Sequence, residues 1–175
     1  IVGMTNRAVQ DQQTSMEQVA AHCQLLVCFG GISARTSQVT SSGTTRHEVS
    51  PFLNKAVENG CQIVNISPRG SDMNTALNAQ CIAPRPGTDM ALILALAYEV
   101  FTTGKADRAF LATYTNGAEE FESYVMGKND GQPKSADWAA EICDVPADAI
   151  RTLAAKMANS RTMISMAWSL QRADH

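Results

Sequence analysis

The chain has 175 residues, 45% of them hydrophobic and 18% charged, with a net charge of -3. That length fits one domain with a core of its own, needing neither disulfides nor a metal to fold. No basic run is present, which argues against nucleic-acid binding. The longest apolar run, Met90 to Tyr98, is too short to cross a bilayer.

In chain order, Gln12 to Cys23 is expected to be a helix, with Met16, Val19, Ala20 and Cys23 on one face. Gln24 to Phe29 is a nearly continuous apolar run that stops at Gly30-Gly31, the pattern of a buried parallel strand closed by a tight turn. Ser33 to Arg46 is rich in Ser and Thr and is expected to be loop. Ser50 to Asn59 is predicted as a helix closed by Gly60. Cys61 to Ile66 is a second strand, followed by Ser67-Pro68-Arg69-Gly70-Ser71. Gln80 to Ala83 is a short third strand that leads into Pro84-Arg85-Pro86-Gly87-Thr88-Asp89. A long apolar helix follows, from Thr88 to about Thr103, and ends at Gly104. Ala106 to Tyr114 and Ala118 to Met126 are predicted as short helices, and Asp107 suits an N-cap. Ser135 to Ile142 and Pro146 to Asn159 are predicted as helices, and Ile150, Leu153, Ala154 and Met157 form the buried stripe of the second. Thr162 to Ala167 is a final strand.

Alternating strands and helices imply a three-layer α/β/α domain spanning residues 1–175, with a mainly parallel sheet covered on both faces. In such folds ligands gather beyond the carboxyl ends of the strands. That rule marks Phe29 to Arg35, Ser67 to Asp72, Pro84 to Asp89 and Trp168 to Arg172. The Pro-bounded turn before Asp89 is stiff, and the helix start beyond it favours anionic or polar groups. The Asp89 carboxylate is also suited to accept from the two-donor edge of a guanine. The macrodipole alone would favour an Asp there as well.

The five cysteines, Cys23, Cys28, Cys61, Cys81 and Cys143, include no C-x-x-C pair, so neither a disulfide framework nor a zinc site is indicated. Cys28, Cys61 and Cys81 lie in or beside strand-like runs and are expected to be small buried hydrophobes. Arg69 and Arg85 are read as solvated surface, Trp138 as core and Glu141 as surface. The chain begins Ile1-Val2-Gly3 and ends at Asp174-His175 soon after a strand, and is read as a segment of a longer protein.

Several short motifs recur in a fixed order. They are Gln12-Gln13-Thr14-Ser15, Phe29-Gly30, Ile66-Ser67-Pro68, Ile82-Ala83-Pro84 and Gly87-Thr88-Asp89-Met90-Ala91-Leu92. Further along come Gly104-Lys105, Phe110-Leu111, Tyr114-Thr115, Gly127-Lys128, Trp138-Ala139-Ala140-Glu141-Ile142, Val145-Pro146, Arg161-Thr162-Met163, and Trp168 with Gln171-Arg172. In this order and spacing the chain resembles a central Rossmann-like α/β domain of the molybdopterin oxidoreductases of the dimethyl sulfoxide reductase type, nearest the trimethylamine-N-oxide and biotin sulfoxide reductase branch.

The resemblance implies a parent enzyme that reduces S-oxides or N-oxides with a molybdenum bis(molybdopterin guanine dinucleotide) cofactor. It implies that the remaining domains of that parent are the partners of this one. By the same resemblance, cofactor-binding candidates are Phe29, Gly30, Gly31, Ser33, Ser67, Pro68, Gly87, Thr88, Asp89, Trp168 and Arg172. Loops matching Phe29 to Thr36, Ser67 to Ser71 and Gly87 to Asp89 line one guanine dinucleotide in the family, and Trp168 and Arg172 match positions near the pterin. Family members carry tryptophan where Met16 and Phe29 stand, a polar residue where Ile32 stands, and aspartate where Ser67 stands. The metal-ligating serine of this branch lies upstream and has no match here, so the chain alone is expected to hold no cofactor and to turn over no substrate. Family members occur in cytoplasm and periplasm alike.

A different reading is a stand-alone nucleotide-binding or interaction module without redox activity. An NAD-dependent dehydrogenase is disfavoured: the first strand lacks a G-x-G-x-x-G turn, and the second ends in Ile66-Ser67 with no acidic residue for a ribose.

Overall fold

The computed structural model of the chain describes residues 14–32, 47, 49–69, 77–167 and 170. The elements in chain order are α1 (Met16–His22), β1 (Leu25–Phe29), α2 (Val49–Glu58), β2 (Gln62–Ile66), β3 (Gln80–Ile82), α3 (Asp89–Thr102), α4 (Arg108–Tyr114), α5 (Ala118–Val125), α6 (Ala136–Cys143), α7 (Ala147–Asn159) and β4 (Thr162–Met166). Each lies within a few residues of its predicted place.

Local chemistry sets several of the boundaries. Ser15 Oγ accepts from the Gln18 N–H at 3.3 Å, Asp107 from Phe110 at 2.9 Å, and Ser135 from Trp138 at 3.2 Å. Each satisfies one of the donors that a helix start leaves free. The predicted start of the first helix at Gln12 falls outside the described residues, and the described helix begins after the Ser15 cap.

The four strands form one all-parallel sheet in the order β3-β2-β1-β4. Pairing is in register, with Leu25 opposite Gln62 and Thr162, and Phe29 opposite Ile66 and Met166. The central position of β1 explains its apolar run: all five of its residues are buried. Leu25, Val27 and Phe29 point to one face, where α3, α6 and α7 supply Leu92, Ala95, Ala139, Ile150 and Leu153. Leu26 and Cys28 point to the other, against Ala20 of α1 and Leu53 and Ala56 of α2. The molecule is thus an α/β protein with helices on both faces of the sheet, as parallel strands require.

The thiols of Cys28 and Cys61 are buried, and burial pushes each up to about 12. They are packing groups and not nucleophiles. Cys81 departs from expectation: it is exposed, because among the described residues β3 is an edge strand, and it buries only Ile82.

The segment between α5 and α6 is held by a buried cation. The Lys134 ammonium contacts the Asp130 carboxylate, donates to the Gln132 carbonyl at 2.7 Å, and lies 4.8 Å and 5.5 Å from the ring centres of Tyr124 and Trp138. Rings and oxygens together replace the water that the ammonium gives up. The hydrogen bond from Lys134 holds the Asp130 carboxyl below the usual carboxylate range, and Arg108 does the same to Glu122. A carboxyl whose pKa is lower folded than unfolded stabilises above its ordinary pKa, and that contribution disappears as the pH falls through the lowered value. The melting temperature is therefore expected to decline below about pH 5. Thermal melts of Asp130→Asn across the same range should show a flatter decline; an unchanged slope contradicts the assignment.

Candidate functional site

All strands are parallel, so their carboxyl ends share one edge of the sheet. Three described loops meet there, after β1, β2 and β3. The order β3-β2-β1-β4 places the reversal of winding between β1 and β4, the position at which open α/β sheets bind ligands.

After β1, Gly30 and Gly31 both adopt positive φ, 86° and 87°. Side chains rarely tolerate two such residues in succession, and glycine leaves the backbone open to close approach. The Gly30 N–H donates to the Ile66 carbonyl at 2.9 Å, which ties the turn to β2. The next anchor is Asn65, a fully buried polar residue whose Oδ1 accepts from the Ile32 N–H at 3.0 Å. Asn65 was not among the residues expected at the site. Its signal was a single amide in the apolar run Gln62-Ile63-Val64-Asn65-Ile66, where a buried polar group needs a bonding partner.

After β2, Ser67 is buried. Its N–H donates to the Ile82 carbonyl at 3.0 Å, and its Oγ accepts from the Arg69 N–H at 3.3 Å. The hydroxyl thus takes part in a local turn. Pro68 and Arg69 are exposed beyond it.

After β3, the turn at 84–88 is braced from below. The Arg85 N–H donates to the Cys143 carbonyl at 2.8 Å, and its guanidinium makes a two-point contact with Asp144, at 3.0 Å and 2.9 Å. Arg85 is exposed, as expected, but engaged. The Thr88 hydroxyl donates to the Arg85 carbonyl at 2.6 Å and so closes the turn; it makes no cap to α3. The first turn of α3 therefore starts without a side-chain cap, with the half-buried Asp89 as its first residue. Gly87, also half-buried, adopts a positive φ of 77° just before it.

The structure therefore brings Gly30, Gly31, Ser67, Pro68, Gly87, Thr88 and Asp89 to one edge. Phe29 reaches it through its backbone, whose carbonyl accepts from the Ala167 N–H at 2.9 Å, while its ring is buried in the core below. Ser33, Trp168 and Arg172 lie outside the described residues. So do Thr36, Ser37, Ser71, Gln171 and the Ser/Thr-rich stretch 33–46. Among the described residues no group of three His, Cys, Asp or Glu is placed to hold a metal ion. Among them, too, no helix is long and apolar enough to cross a membrane.

No family model matches the chain. It is 40% identical over 170 residues to biotin sulfoxide reductase of Cereibacter sphaeroides, a match that covers 97% of this chain and 23% of that protein. It is 38% identical over 167 residues to trimethylamine-N-oxide reductase of Haemophilus influenzae, covering 95% of this chain and 20% of that one. It is 34% identical over 167 residues to dimethyl sulfoxide/trimethylamine N-oxide reductase of Cereibacter sphaeroides, with the same coverage of 95% and 20%. Acetylene hydratase from Pelobacter acetylenicus shares the fold, with a TM-score of 0.63 and 23% identity over 89% of this chain and 20% of that one. The chain spans about a fifth of the length of the curated relatives it matches.

The fold is that of an α/β protein with an all-parallel sheet, and the loops expected to bind ligand gather at its carboxyl edge. Over its own length the chain belongs to the dimethyl sulfoxide reductase family, matching one segment of its members.

Proposed function

We propose that this chain is the part of a longer S-oxide or N-oxide reductase that grips one guanine dinucleotide of a molybdopterin cofactor. The observation that carries the reading is the edge itself: a Gly30-Gly31 turn open to close approach, and an α3 start without a side-chain cap that carries Asp89. The two lie at the ends of β1 and β3, two strand spacings apart or roughly 10 Å. An extended dinucleotide bridges such a gap. The Gly30-Gly31 turn takes the pyrophosphate by close approach of its backbone, since neither residue has a Cβ to hold the ligand off. Asp89 accepts from the ring N–H and amino group of guanine. Trp168 and Arg172 are assigned to the pterin side on family resemblance. When bound, the cofactor supplies oxygen-atom transfer at its metal; this chain's residues bind and orient it.

The fit is partial. Ile32 brings no polar side chain, and the Ser67 hydroxyl already takes part in a local turn. These two positions favour weak binding in the chain alone and keep a nucleotide-binding module without redox activity as the second reading. The chain alone is inactive in the proposal, because the metal ligand and the other half of the cofactor cradle belong to the rest of the parent.

Titration of GDP and AMP against the purified chain tests the reading. GDP is expected to bind weakly and AMP more weakly still. Asp89→Ala should lower GDP affinity about ten- to a hundredfold, the range of hydrogen bonds to a charged group, with little change for AMP. Equal affinity for both nucleotides, or an Asp89→Ala protein that binds GDP as before, overturns it.

A further inference from the structure

Among the described residues only Asn78 and Asp144 carry a side chain at positive φ, 47° and 60°. Asp144 ends α6, and its N–H donates to the Ala140 carbonyl at 3.1 Å. Glycine is the residue best suited to such a helix stop, and an aspartate holds it at a cost in backbone energy. The stop itself needs no carboxylate. Strain of this kind persists where the surrounding structure uses the residue for something else. The use is visible here: Asp144 Oδ2 accepts from Arg85 Nε at 3.0 Å and from Nη2 at 2.8 Å, and Oδ1 accepts from Nη2 at 2.9 Å.

The pair reaches the nucleotide edge by a short chain of bonds. The Arg85 N–H donates to the Cys143 carbonyl at 2.8 Å. Cys143 and Val145 are buried in the core beside Ala139, so the end of α6 is a fixed post. On the other side, the Arg85 carbonyl accepts from the Thr88 N–H at 3.2 Å and from the Thr88 hydroxyl at 2.6 Å. The Thr88 carbonyl accepts in turn from the Ala91 N–H at 3.1 Å, in the first turn of α3. Asp89 stands between Thr88 and Ala91. Because Thr88 makes no side-chain cap to α3, that first turn takes its direction from the 84–88 turn as well as from the packing of Leu92 below it.

We infer that Asp144 is a positioning residue for the guanine end of the edge. It accepts a left-handed backbone so that its carboxylate can hold Arg85, and Arg85 fixes the turn that aims Asp89. The inference rests on the nucleotide reading of the edge and adds to it a residue that touches no ligand. A residue kept for the helix stop alone would be replaced by glycine without loss. In a positioning residue the same replacement weakens guanine binding.

Asp144→Gly tests this, because it relieves the left-handed backbone while it removes the carboxylate. Loss of an exposed pair costs little, so the melting temperature should stay within about 4 °C of the unsubstituted chain. GDP affinity is nevertheless expected to fall about two- to fivefold, the share that such a pair can supply, while AMP affinity holds. Asp144→Asn keeps an accepting oxygen and a side chain that tolerates the left-handed place, and should fall between the two. Arg85→Lys keeps the charge but loses the two-point geometry, and should match Asp144→Gly. The double variant should bind GDP no worse than either single one, since both remove the same contact. Hydrogen exchange at 85–91 should quicken in Asp144→Gly. An Asp144→Gly chain that binds GDP as before overturns the inference, as do additive losses in the double variant. So does a loss shared equally by GDP and AMP, or one that follows a lowered melting temperature, because Asp144 is then a helix stop alone. Failure of the nucleotide reading looks different: the unsubstituted chain shows no preference for GDP over AMP while exchange at 85–91 still quickens in Asp144→Gly, so the pair holds the turn but not for guanine.

Discussion

Gly127→Ala is expected to destabilise the chain by about 2–5 kcal/mol, the sum of a left-handed backbone penalty and a steric clash in a closed site. Gly127 has φ 76°, and a Cβ there would come within 3.0 Å of the Gln132 and Pro133 backbone. The loop between α5 and α6 folds back across this position: the Lys134 N–H donates to the Val125 carbonyl at 2.9 Å, and the Gly131 N–H to the Gly127 carbonyl at 2.8 Å. Backbone on both sides leaves no flexible side chain to move aside. Gly131→Ala is the control. Its φ is 74°, but nothing lies within 4 Å of the added Cβ, so only the conformational penalty of about 1–2 kcal/mol remains. Thermal melts of the two variants separate the effects, with Gly127→Ala melting roughly 5–15 °C below the parent sequence. Equal melting temperatures would mean that the loop opens to admit the methyl group. The loop leads into the start of α6, whereas the 84–88 turn meets the end of α6 at Cys143 and Asp144, so under the proposed nucleotide role the folded fraction of Gly127→Ala should bind GDP as before.

Leu92→Ala should cost about 2–5 kcal/mol, the range for emptying a fully buried leucine site. Leu92 lies in the cluster between the sheet and α6 and α7, and its side chain is completely enclosed. It is also one turn beyond Asp89 on α3. A cavity there loosens the seat of the first turn, so this variant should lose GDP affinity as well as stability. Met90→Ala, on the exposed side of the same turn, should change stability by no more than about 0.5 kcal/mol. Denaturant unfolding and GDP titration of the pair check both expectations. A Leu92→Ala protein with full stability would mean that the core repacks around the missing atoms. One with full GDP affinity would mean that the α3 start is held by the 84–88 turn alone.

That turn shows where sequence reasoning reached and where it stopped. Pro84, Pro86 and Gly87 announce a rigid turn, and Asp89 announces a helix start; both are there. What braces the turn was not legible. The partner of Arg85 is Asp144, 59 positions away in sequence at the end of α6. A charge reads as solvated surface until the fold brings its counterion beside it.

Asn65 and Ser67 make the same point in opposite directions. A lone amide in an apolar strand signalled a buried bond, but only the packing of β2 against β1 shows that the bond fixes the turn after Gly31. Ser67 had the position of a ligand contact, and the structure gives its hydroxyl to the Arg69 N–H.

By itself the sequence determined the elements, their alternation and hence the parallel sheet, because hydrophobic period, caps and turn residues act over a few neighbours. It also determined the family resemblance, which rests on the order of motifs. Strand order was left to the tertiary structure. The run at 24–29 reads as a buried strand and that at 162–167 as a final strand, and only the fold shows that, among the described residues, β1 has a strand on each side and β4 on one. Burial of a strand depends on which neighbours flank it, and neighbours are chosen by contacts across the whole chain. For the same reason Cys81 turned out exposed, the Phe29 ring turned inward, and α4 was left without a core of its own.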